Sequence, residues 1–129
     1  MANPSKLTVN DLVAHDKIAY PSGDAIDTAG TVPIKAVDLE GRADLLVLDV
    51  TETGTTNTFV LTFKAGDNPP AIRAPVGDLE ISLAASEHKV IGPLEAARFL
   101  KNDGDIDVAF SSDGTPAGTV RVYRLPKAV

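Results

Sequence analysis

The stretch TFVLTF, residues 58–63, decides the fold of this chain. Successive side chains of a β-strand point to opposite faces, so Phe59, Leu61 and Phe63 would share one face. Three later segments alternate in the same way: 78–83 (DLEISL), 105–110 (DIDVAF) and 119–125 (TVRVYRL). The alternation predicts half-buried strands that enclose one core. Their inward residues would be Leu79, Ile81, Leu83, Ile106, Val108, Phe110, Val120 and Val122.

The rest of the chain beyond residue 30 divides into short apolar runs between turns. Residues 31–39 and 87–91 are candidate strands, and the near-continuous apolar run 44–50 (DLLVLDV) predicts a strand covered on both faces. Only 94–100 (LEAARFL) favours a helix, of one or two turns. Turns recur at intervals of about ten residues. Residues 31–129 are therefore predicted to form an all-β domain, an antiparallel, jelly-roll-like β-sandwich with one short helical turn near 94–100.

The first thirty residues differ from this pattern. Their apolar side chains follow no period, and a turn, 21–24 (PSGD), closes the segment. We interpret residues 1–30 as an extended N-terminal arm, with at most one short strand at 6–9, that the sandwich does not need for folding. An unordered terminus is the alternative. If the arm binds a partner or a neighbouring subunit, the residues in contact would be Leu7, Val9, Leu12, Val13, Ile18 and Tyr20.

Composition narrows the classes of partner. The chain has 129 residues and no cysteine, which excludes disulfides and thiolate metal sites. Its net charge of -6 argues against binding to nucleic acid, because an acidic surface repels phosphates. No apolar stretch approaches the roughly 20 residues that span a bilayer. We expect no membrane association, no signal peptide and assembly in the cytoplasm.

The search for catalytic or metal-binding residues finds only weak patterns. The two histidines, His15 and His88, lie far apart in sequence and show no ligand spacing. The alternating aspartates of 102–107 (NDGDID) resemble the start of a calcium loop, but Val108 and Gly114 stand where such a loop carries glycine and glutamate. We interpret these aspartates as the outer face of a hairpin.

A serine–lysine pair gives the other weak match. Ser86 and Lys89 have the S-x-x-K spacing of certain serine acyltransferases, at a predicted turn where the two side chains need not meet. The companion motifs of those enzymes are absent. We expect no catalytic residue, no metal and no cofactor, and therefore no enzyme.

The order of elements in the last 45 or so residues carries a family resemblance. It consists of 90–94 (VIGPL), the aromatic Phe99, 102–104 (NDG), 106–110 (IDVAF) and the terminal 120–125 (VRVYRL). This order resembles that of the small head proteins of tailed bacteriophages.

The resemblance implies a decoration, or cement, protein that stabilises an icosahedral capsid. By this likeness its partner would be an HK97-type major capsid protein, bound on the outer surface of the virion after assembly in the host cytoplasm. We expect a homotrimer, which would bind several lattice subunits at once. The apolar run 45–50 permits such self-association, and ordinary core packing explains that run as well. The sequence leaves other roles open: another virion structural protein, a receptor- or carbohydrate-binding β-sandwich module, or a small sandwich enzyme. The absence of tryptophan weighs against carbohydrate binding.

Overall fold

The computed structural model describes residues 3–13, 16–39, 44–54, 58–67, 77–114 and 116–126. Within these ranges the chain forms nine strands, one turn of 3-10 helix at Ala36–Asp38 and one short α-helix, α1, at Ala96–Phe99. The strands are β1 (Val9–Asp11), β2 (Asp24–Ile26), β3 (Gly30–Ile34), β4 (Leu45–Glu52), β5 (Phe59–Phe63), β6 (Leu79–Leu83), β7 (His88–Glu95), β8 (Ile106–Ser111) and β9 (Gly118–Arg124).

The strands form two sheets. Sheet A has the order β1-β9-β4-β7, with β2 also paired to β9, and sheet B has the order β3-β8-β5-β6. Every pair is antiparallel except β1–β9, which is parallel. The two orders β2-β9-β4-β7 and β3-β8-β5-β6 are those of a jelly roll, in which the chain passes between two four-stranded sheets. The prediction of an all-β, jelly-roll-like sandwich is confirmed.

The core lies between the two sheets and follows the predicted alternation. Phe59 and Phe110 stack with their ring centroids 5.7 Å apart, and Phe63 meets Phe99 of α1 at 5.5 Å. Alternate residues of the central strands are buried, as the sequence predicts: Leu46, Leu48 and Val50 on β4, Phe59, Leu61 and Phe63 on β5, Ile106, Val108 and Phe110 on β8, and Val120 and Val122 on β9.

Two strands are less buried than their sequences predict. The run 44–50 has one buried face only, because sheet A packs against sheet B on one side, and Leu45 on its other face is exposed. On β6 only Leu83 is fully buried, while Leu79 and Ile81 are half-buried. In the part of the chain that the structure describes, β6 is the outer strand of sheet B, and no further strand covers its free side.

Two boundaries also differ from the prediction. The helix is shorter than 94–100 because β7 continues to pair with β4 as far as Leu45↔Glu95. β3 ends at Ile34, opposite the first residue of β8. The backbone N–H of Ala36 then donates to Asp105 Oδ1 at 2.8 Å, which holds the chain in a 3-10 turn where the sequence predicted strand.

The expected N-terminal arm is hydrogen-bonded to the sandwich along much of its length. β1 begins at Val9, three residues after the start of the strand predicted at 6–9, and it pairs with residues 122–124 of β9. β2 pairs with residues 118–120 of the same strand. Leu7 and Ile26 are fully buried in the core. The Leu7 N–H also donates to the Pro33 carbonyl at 2.9 Å. Residues 3–13 and 24–26 therefore complete sheet A and its core.

Gly118 shows how tightly the sheets pack. A Cβ at this position would lie 2.8 Å from ring atoms of Phe59, which is itself fully buried against Phe110. We expect Gly118→Ala to lower the free energy of unfolding by about 1–3 kcal/mol, because the ring has no space into which to move. Chemical denaturation measures the loss.

A double variant provides the control for this prediction. Phe59→Leu removes the ring, so the loss caused by Gly118→Ala should shrink in that background. If Gly118→Ala lowers the free energy of unfolding equally with leucine and with phenylalanine at position 59, the ring is not the obstacle.

Candidate protein-binding face

One face of sheet A points away from the core, and we call it the outer face. It carries the residues of β4, β7 and β9 that alternate with the buried ones. Asp49 lies at its centre, because it is the register partner of Arg121 on one side and of Val90 on the other. The other members described are Leu45, Val47, Thr51, His88, Glu95, Thr119 and Tyr123.

The segment between β1 and β2 runs back along this face, and we call it the strap: residues 12–23, of which 12–13 and 16–23 are described. At its start the Leu12 N–H donates to the Arg124 carbonyl at 3.0 Å. At its end Asp24 pairs with Val120. Gly23, with φ +86°, passes so close to β9 that a Cβ there would lie 2.5 Å from Thr119 Cγ2. The strap therefore follows β9 closely.

Tyr20 is the residue through which the strap meets the outer face. Its hydroxyl donates to Asp49 Oδ2 at 3.3 Å, and the Arg121 guanidinium lies 4.6 Å from its ring centroid. Arg121 also donates from Nε to the Pro21 carbonyl at 2.7 Å and from Nη2 to the Ser22 carbonyl at 3.2 Å. Asp49 Oδ1 contacts His88 Nε2 of β7. One carboxylate thus links the strap to the edge strand of sheet A.

Tyr123 lies beside this group and is half-buried. Burial raises the pKa of its hydroxyl above the ordinary value, and the charges of Asp49 and Tyr20 raise this pKa further, while Arg121 lowers it. Burial disfavours the charged form of a tyrosine, and the effect of the Tyr20 charge shows that Tyr123 lies close to the strap.

Exposed apolar side chains gather at the outer face and the strap. Five large apolar residues are exposed in the described part of the chain: Val13 (52%), Tyr20 (67%), Val37 (83%), Leu45 (39%) and Val90 (70%). Val13 and Tyr20 belong to the strap, and Leu45 and Val90 to the outer face. Only Val37, in the 3-10 turn after β3, lies elsewhere. Apolar side chains collected on one face, with charged groups beside them, are typical of a surface that binds another protein.

The structure divides the six predicted contact residues into two groups. Leu7 is fully buried and Val9 packs against the core, so both stabilise the sandwich. Leu12, Val13, Ile18 and Tyr20 lie on the strap, and Val13 and Tyr20 are exposed. Sequence reasoning missed Leu45, Val90, Asp49 and Arg121. The signal for them was their outward position in the run 44–50, the strand 87–91 and the alternating segment 119–125.

The aspartates of 102–107 contact protein groups. Asp105 accepts from the Ala36 N–H and lies 3.2 Å from Lys35 Nζ, while Asp103 and Asp107 lie 3.4 and 3.2 Å from Lys101 Nζ. The hydrogen bond to Asp107 raises the pKa of Lys101, and the Asp105 N–H lowers the pKa of Asp103. Within the described residues no three His, Cys, Asp or Glu side chains group in a way that could hold a metal ion.

The remaining weak patterns separate in the fold. Ser86 Oγ faces the Gly54 carbonyl at 3.4 Å, whereas Lys89 Nζ donates to the Ser82 carbonyl at 3.2 Å. His88 lies on the outer face, and His15 is outside the described residues. A shallow cavity between β1 and β2 is lined by Thr8, Asn10 and residues 21–24, several of whose polar groups already bond to neighbouring protein groups. Among the helices described, none has the length and apolar character needed to cross a membrane.

In comparisons with known proteins, no family model, curated protein or solved structure matches this chain.

Proposed function

We propose that this protein is a bacteriophage head decoration, or cement, protein that binds the outer surface of the major capsid protein lattice and stabilises the capsid. The observation that carries the proposal is that four exposed apolar residues, Val13, Tyr20, Leu45 and Val90, belong to the outer face and the strap that crosses it. Such a surface suits adhesion to another protein, since apolar and aromatic side chains dominate the centres of protein interfaces.

The class of partner comes from the sequence resemblance. The elements that resemble phage head proteins occupy β7, α1, β8 and β9, three of which are strands of the sandwich and one of which packs an aromatic ring into its core. The resemblance supports an HK97-type major capsid protein as partner and the outer capsid surface as location. A homotrimer as the bound form would add avidity, because it binds several lattice subunits at once. A net charge of -6 keeps the remaining surface soluble on the particle.

Co-sedimentation tests the function. Purified protein is mixed with capsids assembled from the major capsid protein of the same phage, and the wild type should sediment with them. Val90→Glu should reduce the bound fraction about tenfold or more, because it places a charge in the most exposed apolar position of the outer face. Val37→Glu is the matched control, with the same substitution at an exposed valine away from the outer face, and it should bind like the wild type.

One result would contradict the proposed function, and another would contradict the proposed binding surface. A wild-type protein that stays in the supernatant at every capsid concentration would refute capsid binding itself. If both valine variants bind like the wild type, the protein decorates capsids through a different surface. Circular dichroism of each variant establishes that it is folded before binding is measured.

A further inference from the structure

The middle of the strap is attached to sheet A through side chains. Among the described residues, its backbone bonds outside β-strands are Leu12 N–H to Arg124 and Asp16 N–H to Val13, both near its start. From residue 17 to residue 23, the hydrogen bonds that reach the sheet run from the Tyr20 hydroxyl to Asp49 and from Arg121 to two strap carbonyls. This attachment depends on two sheet residues and one tyrosine.

Both ends of the strap are fixed independently of this attachment. β1 continues into Leu12, whose N–H bonds to Arg124, and β2 starts at Asp24. Gly23 stands directly before β2 with φ +86°, a conformation that glycine adopts without strain. The middle of the strap can therefore lift away while both flanking strands remain paired with β9.

The closed strap covers part of the outer face. Tyr123 and its register partner Val47 are half-buried, although none of the described strands forms a second sheet over this side of sheet A. The raised pKa of Tyr123 shows the same exclusion of solvent. Lifting the strap would join Tyr123 and Val47 to the exposed Leu45 and Val90 in a wider apolar surface.

We propose that residues 16–23 form a releasable latch, closed by Tyr20 between Arg121 and Asp49, which opens while the sandwich stays folded and uncovers Tyr123. Contacts between solvent-exposed groups are individually weak, so local opening is far less costly than unfolding. The latch widens or narrows the surface available to any partner. It stands on contacts within this chain, so it does not depend on the identity of that partner.

A matched pair of variants tests the latch in the free, full-length protein. Tyr20→Phe removes the hydroxyl and keeps the ring against Arg121, whereas Tyr20→Ala removes both. Lys17, exposed within the strap, supplies a trypsin site. We expect cleavage after Lys17 to be about tenfold faster in Tyr20→Ala than in Tyr20→Phe, a difference of about 1.4 kcal/mol in opening. The urea midpoints of the two variants should agree. Equal cleavage rates would overturn the proposal.

Tyrosine absorbance provides a second readout. The chain has two tyrosines and no tryptophan, so in both variants Tyr123 alone titrates in the ultraviolet. Both variants also lose the charge of Tyr20, which leaves cover by the strap as the difference between them. We expect a lower pKa for Tyr123 in Tyr20→Ala than in Tyr20→Phe, because loss of burial favours the charged form. The same pKa in both would show that the strap does not cover Tyr123.

Discussion

Removal of residues 1–28 is expected to unfold the whole protein. The deletion takes away β1 and β2, and with them Leu7 and Ile26, which are both fully buried. Truncating one buried leucine or isoleucine to alanine costs about 2–5 kcal/mol, and a small domain has only about 5–15 kcal/mol in total. The deletion also turns β9 from a central strand into an edge strand whose backbone is unpaired on one side. Circular dichroism and urea denaturation measure the result.

The control for this deletion lies in the same segment. Val13→Ala shortens an exposed side chain and should change the free energy of unfolding by less than about 0.5 kcal/mol. The sequence alone suggested that residues 1–30 were dispensable for folding, and the pairing with β9 predicts the opposite. A truncated protein that unfolds cooperatively at the wild-type urea concentration would refute the prediction made from the structure.

Phe110→Ala should lower the free energy of unfolding by about 3–5 kcal/mol. Phe110 is 2% exposed, stacks on Phe59 and belongs to β8, which lies between β3 and β5. Because these neighbours are held in hydrogen-bonded strands, they cannot move far into the space that the ring leaves. Chemical denaturation measures this loss of free energy of unfolding, provided that the m-value of the variant equals that of the wild type.

An exposed aromatic residue serves as the comparison for Phe110. Tyr20→Ala removes a ring of similar size from the protein surface and should cost far less stability, because two-thirds of that side chain already faces solvent. A loss below about 1 kcal/mol for Phe110→Ala would mean that the inward face of β8 has been assigned wrongly.

The strands predicted best from the sequence are those with a strand on each side and the opposite sheet over one face. In β5, β8 and β9 this environment forces strict alternation, so Phe59, Val108 and Val122 could be placed from the pattern alone. The edge strand β6 has the predicted alternation, but only Leu83 of its inward residues is fully buried. The strand predicted at 87–91 ends too early, because its pairing with β4 extends β7 to Glu95.

β1 and β2 could not be predicted from local pattern. Each has three residues, too few to show a period, and each is held by a strand about a hundred positions away, as in Val9↔Val122. The outer face was missed for a related reason. Asp49, Val90 and Arg121 come from three separate strands that only the sheet register brings together, and Tyr20 reaches them from the strap.

The central position of β9 affects how the chain folds during synthesis. β9 pairs with β1, β2 and β4, yet the ribosome makes it after all three. Until it emerges, the two N-terminal strands have no partner and the apolar side of β4 remains open to water and to other chains. Contacts so distant in sequence close slowly. Folding of this protein therefore depends on its completed C-terminal strand, and a nascent chain that stalls before residue 118 exposes surfaces that chaperones recognise.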